Sequence, residues 1–584
     1  MALVTALIAT FVAATMITVM MTISMASNDK AQVGRHSVQA RYLGEGAVEF
    51  AKKELQTAIA NWDPVPAAGQ TTVGGQQVQY TVVPTGMDQI ATDSAGIQTI
   101  ITGYEIEARG ISQGSQEPVH RIINTEATPI FQFAVFYTED LEINPGPNMT
   151  LGGRVHTNQD MYLGSNNTLT VDTNYLRAVG GIYRHRKDNP GVSQGTVDIR
   201  KWVENPYDPS EPSEFVTMYS ESQLAGQGVT STSGYDSNFM GLDLNADDDF
   251  TGAGEWLPWG PGALDFWQQP DAYGNGYGNT VLSEEHGIGE AVAPHIGSIA
   301  MYEEVDGGDY EWDGTTQQYM QVAAGSGTHS PGFFHENADL SIITYDDGSW
   351  DAFDADGFSV KASLVGIVTQ GDLHDARQSN NGDDTPVCEI DIDALNTSGV
   401  FPANGLLYAA HYGMGEGTDA KGVLLTNGAE LAGALSVVSE GPVYVQGDYN
   451  TVDKKGAAVI GDAVNLLSNS WTGTKTAGTL PSASDTSFNM AIVTGNHETQ
   501  VGGYNGGLEN LPRFHESWSG KKCKITGSFV NTWESKFATG TWKYGGDRYK
   551  APARIWTYDE AFNRVANLPP FTPMAVTATD VVMW

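Results

Sequence analysis

Cysteine and basic side chains are scarce in this sequence. Its 584 residues include two cysteines, Cys388 and Cys523, and 30 Lys and Arg against 70 Asp and Glu, which gives a formal net charge of -40. Two cysteines so far apart do not make a metal knuckle; they form either one disulfide closing a long loop or two separate buried thiols. The negative field repels nucleic acid, which is excluded as a partner, and is compatible with divalent cations.

Charge is absent from the start of the chain, because Asp29 is the first charged side chain. Residues 1–24 read "MALVTALIATFVAATMITVMMTIS" and would span roughly 36 Å as a helix, enough to cross a hydrocarbon core of about 30 Å. A secretory signal peptide would carry a basic flank before a shorter apolar run. The run therefore indicates either a simple membrane anchor or a segment that crosses a membrane first and packs into an assembly later.

The helical pattern continues beyond this run. Apolar residues recur at mostly three- to five-residue steps beside charged ones, at Val33, Val38, Leu43, Ala47, Phe50, Ala51, Leu55 and Ile59. The dipeptide Asp63-Pro64 supplies a stop, because the residue before proline disfavours the α region. The sequence predicts one helix from Met1 to about Trp62, with bends or local melts at Gly34, Gly44 and Gly46.

This layout resembles the N-terminal helix of type IV pilins, and "MALVTAL" resembles the mature end of large minor pilins after removal of a basic leader. The resemblance implies a subunit that waits in the inner membrane, is handled by pilus assembly machinery and enters an extracellular helical filament of its own copies. Major pilins usually carry Glu at the fifth mature position, whereas this chain has Thr5. A hydroxyl avoids the cost of burying a carboxylate but forms no ion pair, which favours an unconventional or minor subunit.

The remainder indicates an α+β chain with a large all-β body, because it contains 68 Gly and 25 Pro and few long helical patterns after Trp62. Short strands separated by Gly and Asn corners favour a β-solenoid; a β-sandwich is the alternative. The predicted regions are the helix (1–62), a small antiparallel pilin-like sheet (63–128), the solenoid-like body (129–183 plus 353–472), a loop-rich insertion (184–352) and a C-terminal β-rich region (473–584).

Enzymatic motifs are missing: there is no Walker-type phosphate loop, no H-E-x-x-H and no G-x-S-x-G. The pairs His335-Glu336 and His515-Glu516 lack a second histidine, so each is expected to be superficial or locally hydrogen-bonded. With 70 carboxylates, acidic pairs arise by chance. We therefore assign no catalytic residue and expect a protein that is not an enzyme.

The best local motif is "DLNADDDFTGAGEW". Its oxygen-bearing residues fall at alternating positions, as in an EF-hand loop, and the candidate calcium ligands are Asp243, Asn245, Asp247, Asp249 and Glu255. Glycine is missing at the sixth position, the glutamate comes one residue late, and no amphipathic helices flank the loop. An acidic surface turn is the alternative.

Three functions remain open. The leading one is a structural subunit of a filament exposed at the cell surface. The second is a minor or tip-located adhesin, in which aromatic residues of the insertion bind a glycan or another surface; these same residues, Trp256, Trp259, Trp267, Tyr273 and Tyr277, could instead fill a core. The third is a membrane-tethered carbohydrate-active enzyme.

Calcium binding is tested by calorimetry on the chain with and without Asp243→Asn/Asp247→Asn. We expect heat on titrating CaCl₂ into the native sequence and its loss in the double variant, because amide oxygens are weaker ligands for a hard cation than carboxylates. Absence of heat with the native sequence would refute the site.

Overall fold

The structure is a computed structural model of the whole chain. It describes residues 2–92, 97–189, 195–200, 215–218, 242–243, 256–257, 280–283, 288–305, 310–313, 318–321, 328–375, 383–413, 420–476, 478–499, 505, 507–540 and 548–583. Two compact units emerge: the first comprises Met1–Ala91, Ile100–Ala127 and Val576–Trp584, and the second Thr92–Thr99 and Thr128–Ala575.

The first unit begins with helix α1, which runs unbroken over Ala2–Asn61. The predicted helix is therefore confirmed. Trp62 then adopts a left-handed φ of 59°, and the Asp63 amide donates to the Ala58 carbonyl at 2.8 Å. This is a Schellman-type closure of a helix end, and Pro64, which has no amide hydrogen, follows it directly.

The helix glycines serve packing. No local melt occurs at Gly34, Gly44 or Gly46, since α1 is helical through all three. A Cβ added at Gly44 would lie 2.8 Å from a methyl carbon of Val119, and one at Gly46 would lie 2.7 Å from a methyl carbon of Val73. These two glycines therefore let the helix approach the neighbouring strands closely.

The sheet of the first unit packs on the second half of α1. Its first five strands are β1 (Ala68–Val73), β2 (Gln76–Pro84), β3 (Gln89–Thr92), β4 (Gln98–Ser112) and β5 (Ser115–Pro129). The pairs β1–β2, β2–β4 and β4–β5 are antiparallel. Strand β5 alternates buried and half-buried residues from Val119 onward, as expected where one face lies on the helix. The predicted small antiparallel sheet is confirmed.

The second unit consists mainly of short strands. They are β6 (Val135–Tyr137), β7 (Leu141–Ile143), β8 (Met149–Gly152), β9 (Val155–Thr157), β10 (Met161–Leu163), β11 (Thr168–Asp172), β12 (Leu176–Ala178), β13 (Ile182–Tyr183), β14 (Thr196–Arg200), β15 (Phe215–Thr217), β16 (Leu242–Asp243), β17 (Trp256–Leu257), β18 (Val281–Leu282), β19 (Tyr302–Val305), β20 (Tyr310–Asp313), β21 (Gln318–Gln321), β22 (Thr328–Pro331), β23 (Leu340–Tyr345), β24 (Trp350–Asp354), β25 (Val368–Asp375), β26 (Asp383–Asp391), β27 (Leu406–Tyr412), β28 (Gly422–Thr426), β29 (Leu435–Val438), β30 (Val443–Gln446), β31 (Ala457–Gly461), β32 (Val464–Leu467), β33 (Thr486–Asn489), β34 (Ala491–Thr494), β35 (Arg513–Phe514), β36 (Lys522–Gly527), β37 (Phe529–Asn531) and β38 (Ala553–Tyr558). In the described ranges of this unit, the short α-helices α2 (Phe333–Glu336) and α3 (Ile392–Thr397) interrupt them.

Most of these strands pair in parallel. Within the described residues the largest sheet has the order β18-β12-β9-β6-β37-β34-β31-β29-β27-β23-β24, and a second has the order β25-β26-β28-β30-β32-β35. Smaller sheets are β15-β14-β11-β8, β13-β10-β7 and β33-β36-β38. Because the pairs β23–β24 and β25–β26 are antiparallel, the sheets are mixed. The predicted β-rich body is confirmed, whereas the solenoid stays a prediction.

The register of the first parallel sheets follows a nearly constant spacing along the chain. Leu141 pairs with Met161 and Met161 with Ile182, so equivalent positions recur at almost equal steps. Later steps are irregular: Ala458 of β31 pairs with Ala491 of β34. The sequence therefore shows no exact period although the strands stack regularly.

The chain returns on itself twice. Strand β37, near the end of the chain, pairs in parallel with β6, the first of the short strands of the second unit. The last strand, β39 (Met574–Met583), then joins the small sheet next to β5. In chain order the second unit is therefore inserted between two adjacent strands of the first unit's sheet, which the hydropathy pattern did not indicate.

The close approach of β4 to α1 is testable at Gly110. A Cβ added there would overlap the Ala40 carbonyl oxygen, so Gly110→Ala must push the strand from the helix, and we expect a loss of about 3 kcal/mol in the free energy of unfolding. Gly86→Ala is the matched control, because nothing lies within 4 Å of a Cβ added at Gly86. Equal denaturation midpoints for the two variants would contradict the packing described.

Candidate functional site

The first half of α1 is uncovered in the described structure. Every described residue from 2 to 35 is exposed, and this stretch is here named the bare segment. Its large apolar side chains include Leu3, 81% exposed, and Phe11, 73% exposed. By length and composition α1 can cross a membrane, and its most apolar part is not buried at all. So much contiguous apolar surface requires lipid or protein around it.

Threonine hydroxyls do not make the bare segment polar. Thr10 and Thr18 donate to the carbonyls of Ala6 and Ala14, each at 2.8 Å. Thr22 does the same with the Thr18 carbonyl at 2.8 Å. Each bond satisfies a hydroxyl within its own helix, so these threonines act as small side chains that allow close packing.

Burial begins at Ala40. Of the predicted apolar stripe, Leu43, Ala47, Ala51 and Leu55 are buried in the core of the first unit. Val33 and Val38 are instead 61% and 55% exposed, and Phe50 is 40% exposed. The last part of the stripe therefore holds the sheet. Val33 and Val38 stay exposed in the described structure, and Phe50 is only partly covered, with its ring centroid 6.2 Å from that of Tyr80.

An ion-pair cluster fastens β39 to the helix. The largely buried Arg121 of β5 contacts the carboxylates of Glu49 and Asp580, the latter at 3.4 Å. Lys52 of α1 also reaches Asp580, at 3.3 Å. The Gln56 side chain donates to the Val576 carbonyl at 3.2 Å. Charge-assisted bonds around a buried guanidinium position the last strand.

An open groove of about 460 Å³ lies beside the packed part of α1. It is lined by Glu49, Phe50, Lys53, Glu54, Thr57, Ala58, Asp63, Pro64 and Pro66, and is here named the groove. The Tyr80 hydroxyl donates to Glu54 at 2.5 Å. Partial burial, with the Glu54 bond, raises the pKa of Tyr80. The groove lining thus combines apolar side chains such as Phe50 and Ala58 with carboxylates and one lysine, Lys53.

The second unit contains an acidic cleft where its first and last strands meet. The cleft is lined by Tyr137, Glu139, Asp140, Glu142, Lys187, Asn496, His497, Glu498, Thr499, Gly507, Asn531 and Glu534. The Lys187 ammonium lies 2.5 Å from Asp140 and 3.3 Å from Glu498. Burial opposes its charge, but the contacts with Asp140 and Glu498 outweigh burial and raise the pKa of Lys187. Lysine thus bridges carboxylates from distant parts of the chain.

Glu142, which lines the cleft, has a second buried carboxylate, Glu509, as a neighbour. Burial raises the pKa of Glu142, which accepts a bond from Thr499 at 2.8 Å. Burial also raises the pKa of Glu509 to about 7, with the Glu142 charge contributing. The Glu509 carboxylate accepts the Asn144 amide at 2.8 Å. Two proton-binding carboxyls this close make the junction sensitive to pH.

The two histidine–glutamate pairs differ: Glu336 is exposed, whereas His335, His515 and Glu516 are hydrogen-bonded, so each predicted alternative applies to part of the set. His335 is hydrogen-bonded to the Met301 carbonyl at 3.0 Å and lies against Tyr408. His515 is fully buried, 2.9 Å from the Asn465 side chain, and Glu516 accepts the Ser468 hydroxyl. The contacts of both histidines are therefore those of structural residues.

The predicted calcium ligands are mostly beyond what the structure describes. Asp243 ends β16, whose partner β17 begins at Trp256; Asn245, Asp247, Asp249 and Glu255 lie outside the described residues, as do Trp259, Trp267, Tyr273 and Tyr277. Calcium binding stays a prediction. In the part of the chain that the structure describes, no three His, Cys, Asp or Glu side chains are grouped to hold a metal ion.

The cysteine alternatives are resolved. Cys388 and Cys523 are both free and buried, so the disulfide alternative is wrong and the separate thiols are confirmed. Burial raises the pKa of each thiol to about 12, which keeps both protonated and unreactive.

The first unit is pilin-like in its arrangement, because one long apolar helix continues into a helix packed on an antiparallel sheet. This arrangement is the one that the resemblance read from the sequence implies. No protein-family model matches the sequence, and no curated protein matches it. The crystal structure of the competence-associated pilin ComZ from Thermus thermophilus aligns with 94% of this chain and 98% of its own, at 11% identity and a TM-score of 0.19.

Glu509 predicts how stability depends on pH. Its folded pKa of about 7 exceeds the ordinary 4.5, so the folded state retains a proton that the unfolded state loses, and stability falls as the pH rises from 4.5 to 7. Glu509→Gln removes this penalty of roughly 3 kcal/mol. We therefore expect the variant to gain stability over the native chain above pH 7 and to equal it below pH 4.5.

Urea titrations at several pH values measure this difference. Glu534→Gln, an exposed change at the same cleft, is the control and should alter stability by less than about 0.5 kcal/mol. A constant difference for Glu509→Gln across the pH range would show that the carboxyl does not titrate as described.

Proposed function

We propose that this chain is a structural subunit of a type IV pilus-like filament at the cell surface. The observation that carries the proposal is a single helix that is bare over residues 2–35 and packed on a sheet from Ala40 onward. A helix built this way can pass from lipid into a bundle of other helices without refolding. Its two environments are the membrane before assembly and copies of itself afterwards.

The composition of the bare segment supports its transfer from lipid into a bundle of helices. Lipid tails are as apolar as leucine side chains, so no hydrophobic gain drives helices together in a membrane. Close packing of small residues supplies the contacts, and the bare segment offers alanines and self-satisfied threonines such as Thr10 and Thr18. Pilus assembly machinery would extract the helix, which requires work.

Thr5 distinguishes this subunit from the usual pilin pattern. Because it carries no charge, the axial register between copies must come from contacts elsewhere on the helix. In this proposal the second unit forms the outer surface of the filament, and its stacked parallel sheets constitute a β-solenoid. The nearly constant spacing between β7, β10 and β13 supports that architecture.

A minor or tip-located adhesin is the alternative within the same class. Copy number separates the two, since filaments composed mainly of this chain support a major subunit and sparse labelling at filament ends supports a tip subunit. Enzymatic activity would require turnover of a polysaccharide by the second unit.

Removal of residues 2–28 tests the proposal. We expect the truncated chain to be a soluble monomer with the native unfolding transition, because burial begins only at Ala40, and to form no filaments under electron microscopy. Filaments from the truncated chain would refute the proposal.

A matched pair of point variants gives a finer test. Ile17→Asp places a charge in the bare segment at a cost of about 3 kcal/mol at the centre of a bilayer, so membrane insertion and assembly should both fall strongly. Ile17→Leu should leave both unchanged. If the charged variant assembled like the native chain, lipid would not be the first environment of this helix.

A further inference from the structure

The groove has two carboxylate rims on α1. Phe50, Lys53 and Thr57 line it and share one face of the helix by their spacing; this face is here called its floor. At about 100° per residue, Glu49 and Glu54 flank this floor by roughly 70° on either side. Glu49 keeps 57% of its side chain exposed although it contacts Arg121. With Asp63 on the loop, the lining carries three carboxylates against one lysine.

A ridge of matching character lies on the same helix. Ser27, Ala31, Gly34 and Val38 follow i, i+4, i+7, i+11 spacing and share one face. The same helical geometry places Lys30 and Arg35 roughly 70° to either side of that face. All six residues are exposed. This surface, here named the basic ridge, has a small or apolar crest between two cations.

We infer that the groove of one copy receives the basic ridge of a second copy of this chain. The inference rests on the proposed filament and specifies which surfaces meet in it. Charge complementarity carries it: the cations flank a narrow crest, and the carboxylates outnumber Lys53 around a helix face that includes the exposed Phe50. Gly34 has no side chain, so the crest is narrow at this position and a second helix can approach closely.

The axial spacing is compatible with parallel helices. Lys30 and Arg35 are separated by the same interval as Glu49 and Glu54. Shifting one helix along the other by about 28 Å, at about 1.5 Å per residue, brings the two charge pairs to the same level. In such an arrangement each copy offers one groove and one ridge, so the contact is heterologous and propagates along a filament. It supplies the register that an ion pair at Thr5 would otherwise set.

Cysteine cross-linking in full-length filaments tests this contact. The two native cysteines are buried, so introduced ones report alone. Ala31→Cys combined with Phe50→Cys should give a covalent ladder of many chains on mild oxidation, because the shift of about 28 Å brings these two positions to the same level and joins every copy to the next. Val38→Cys combined with Thr57→Cys is a second pair at one level of the same contact, for use if the first does not fold.

The control combines Ala31→Cys with Gln77→Cys, which is exposed on β2 and outside the groove lining. We expect at least a tenfold weaker ladder from it. Filaments that yield no ladder from either test pair, or an equal ladder from the control, overturn the docking while leaving the proposed function intact. A native chain that forms no filaments overturns both.

Charge reversal gives an independent readout. Lys30→Glu with Arg35→Glu should reduce filament yield several-fold while membrane insertion persists, because the apolar residues 1–24 are unchanged. Lys30→Arg with Arg35→Lys should assemble normally. Added salt should weaken the native contact in part, since exposed charges are screened and apolar contacts are not. Unchanged yield after reversal would contradict the proposed pairing of ridge and groove.

Discussion

The structure depends on one constraint: a single uninterrupted helix has to satisfy two different surroundings. Over residues 2–35 the side chains are bare and largely apolar, and beyond Ala40 the same helix is the core of a folded unit. A helix satisfies its own backbone hydrogen bonds, so it can change surroundings without exposing unpaired amides. Every other described element of the first unit is arranged around the packed half.

The close approach of the sheet backbone to α1 determines how the packed half of the helix and the sheet fit together. Gly44 and Gly46 on the helix and Gly110 on β4 leave no room for a Cβ, so the sheet is held against α1 by shape. The Arg121 cluster positions these elements by ion pairs, because one largely buried guanidinium links α1, β5 and the last strand. Apolar burial gives this unit its stability, and the glycines and the arginine decide which strands can lie there.

Much of this fold could be predicted from the sequence, for reasons visible in particular residues. The uncharged run and the Asp63-Pro64 stop define α1, because composition and proline act locally. The groove and the exposed Val33 and Val38 could not be predicted, since a helical stripe does not say which part of it meets a partner. The spacing of the parallel strands along the chain could not be predicted, because it is regular near Leu141 and Met161 and irregular later in the sequence.

The pairing of strands that are distant in the sequence could not be predicted either. Strands β6 and β37 are parallel neighbours although Val135 and Phe529 lie near opposite ends of the second unit's sequence, and no local pattern encodes that choice. The same holds for the candidate functional surfaces. The bare segment follows from local composition and was predicted. The acidic cleft joins Lys187 to Asp140 and Glu498, so it forms only when parts of the chain that are distant in sequence come together.

The return of β39 to the small sheet gives the chain two covalent connections between its units. The stretch Thr128–Ala575 is joined to the first unit through both of its ends, to Ala127 at one and to Val576 at the other. A protease that cuts either connection leaves this stretch tethered by the other one. Shedding it requires two cuts, so the proposed filament would keep its outer surface after a single cut that would release a domain joined by one connection.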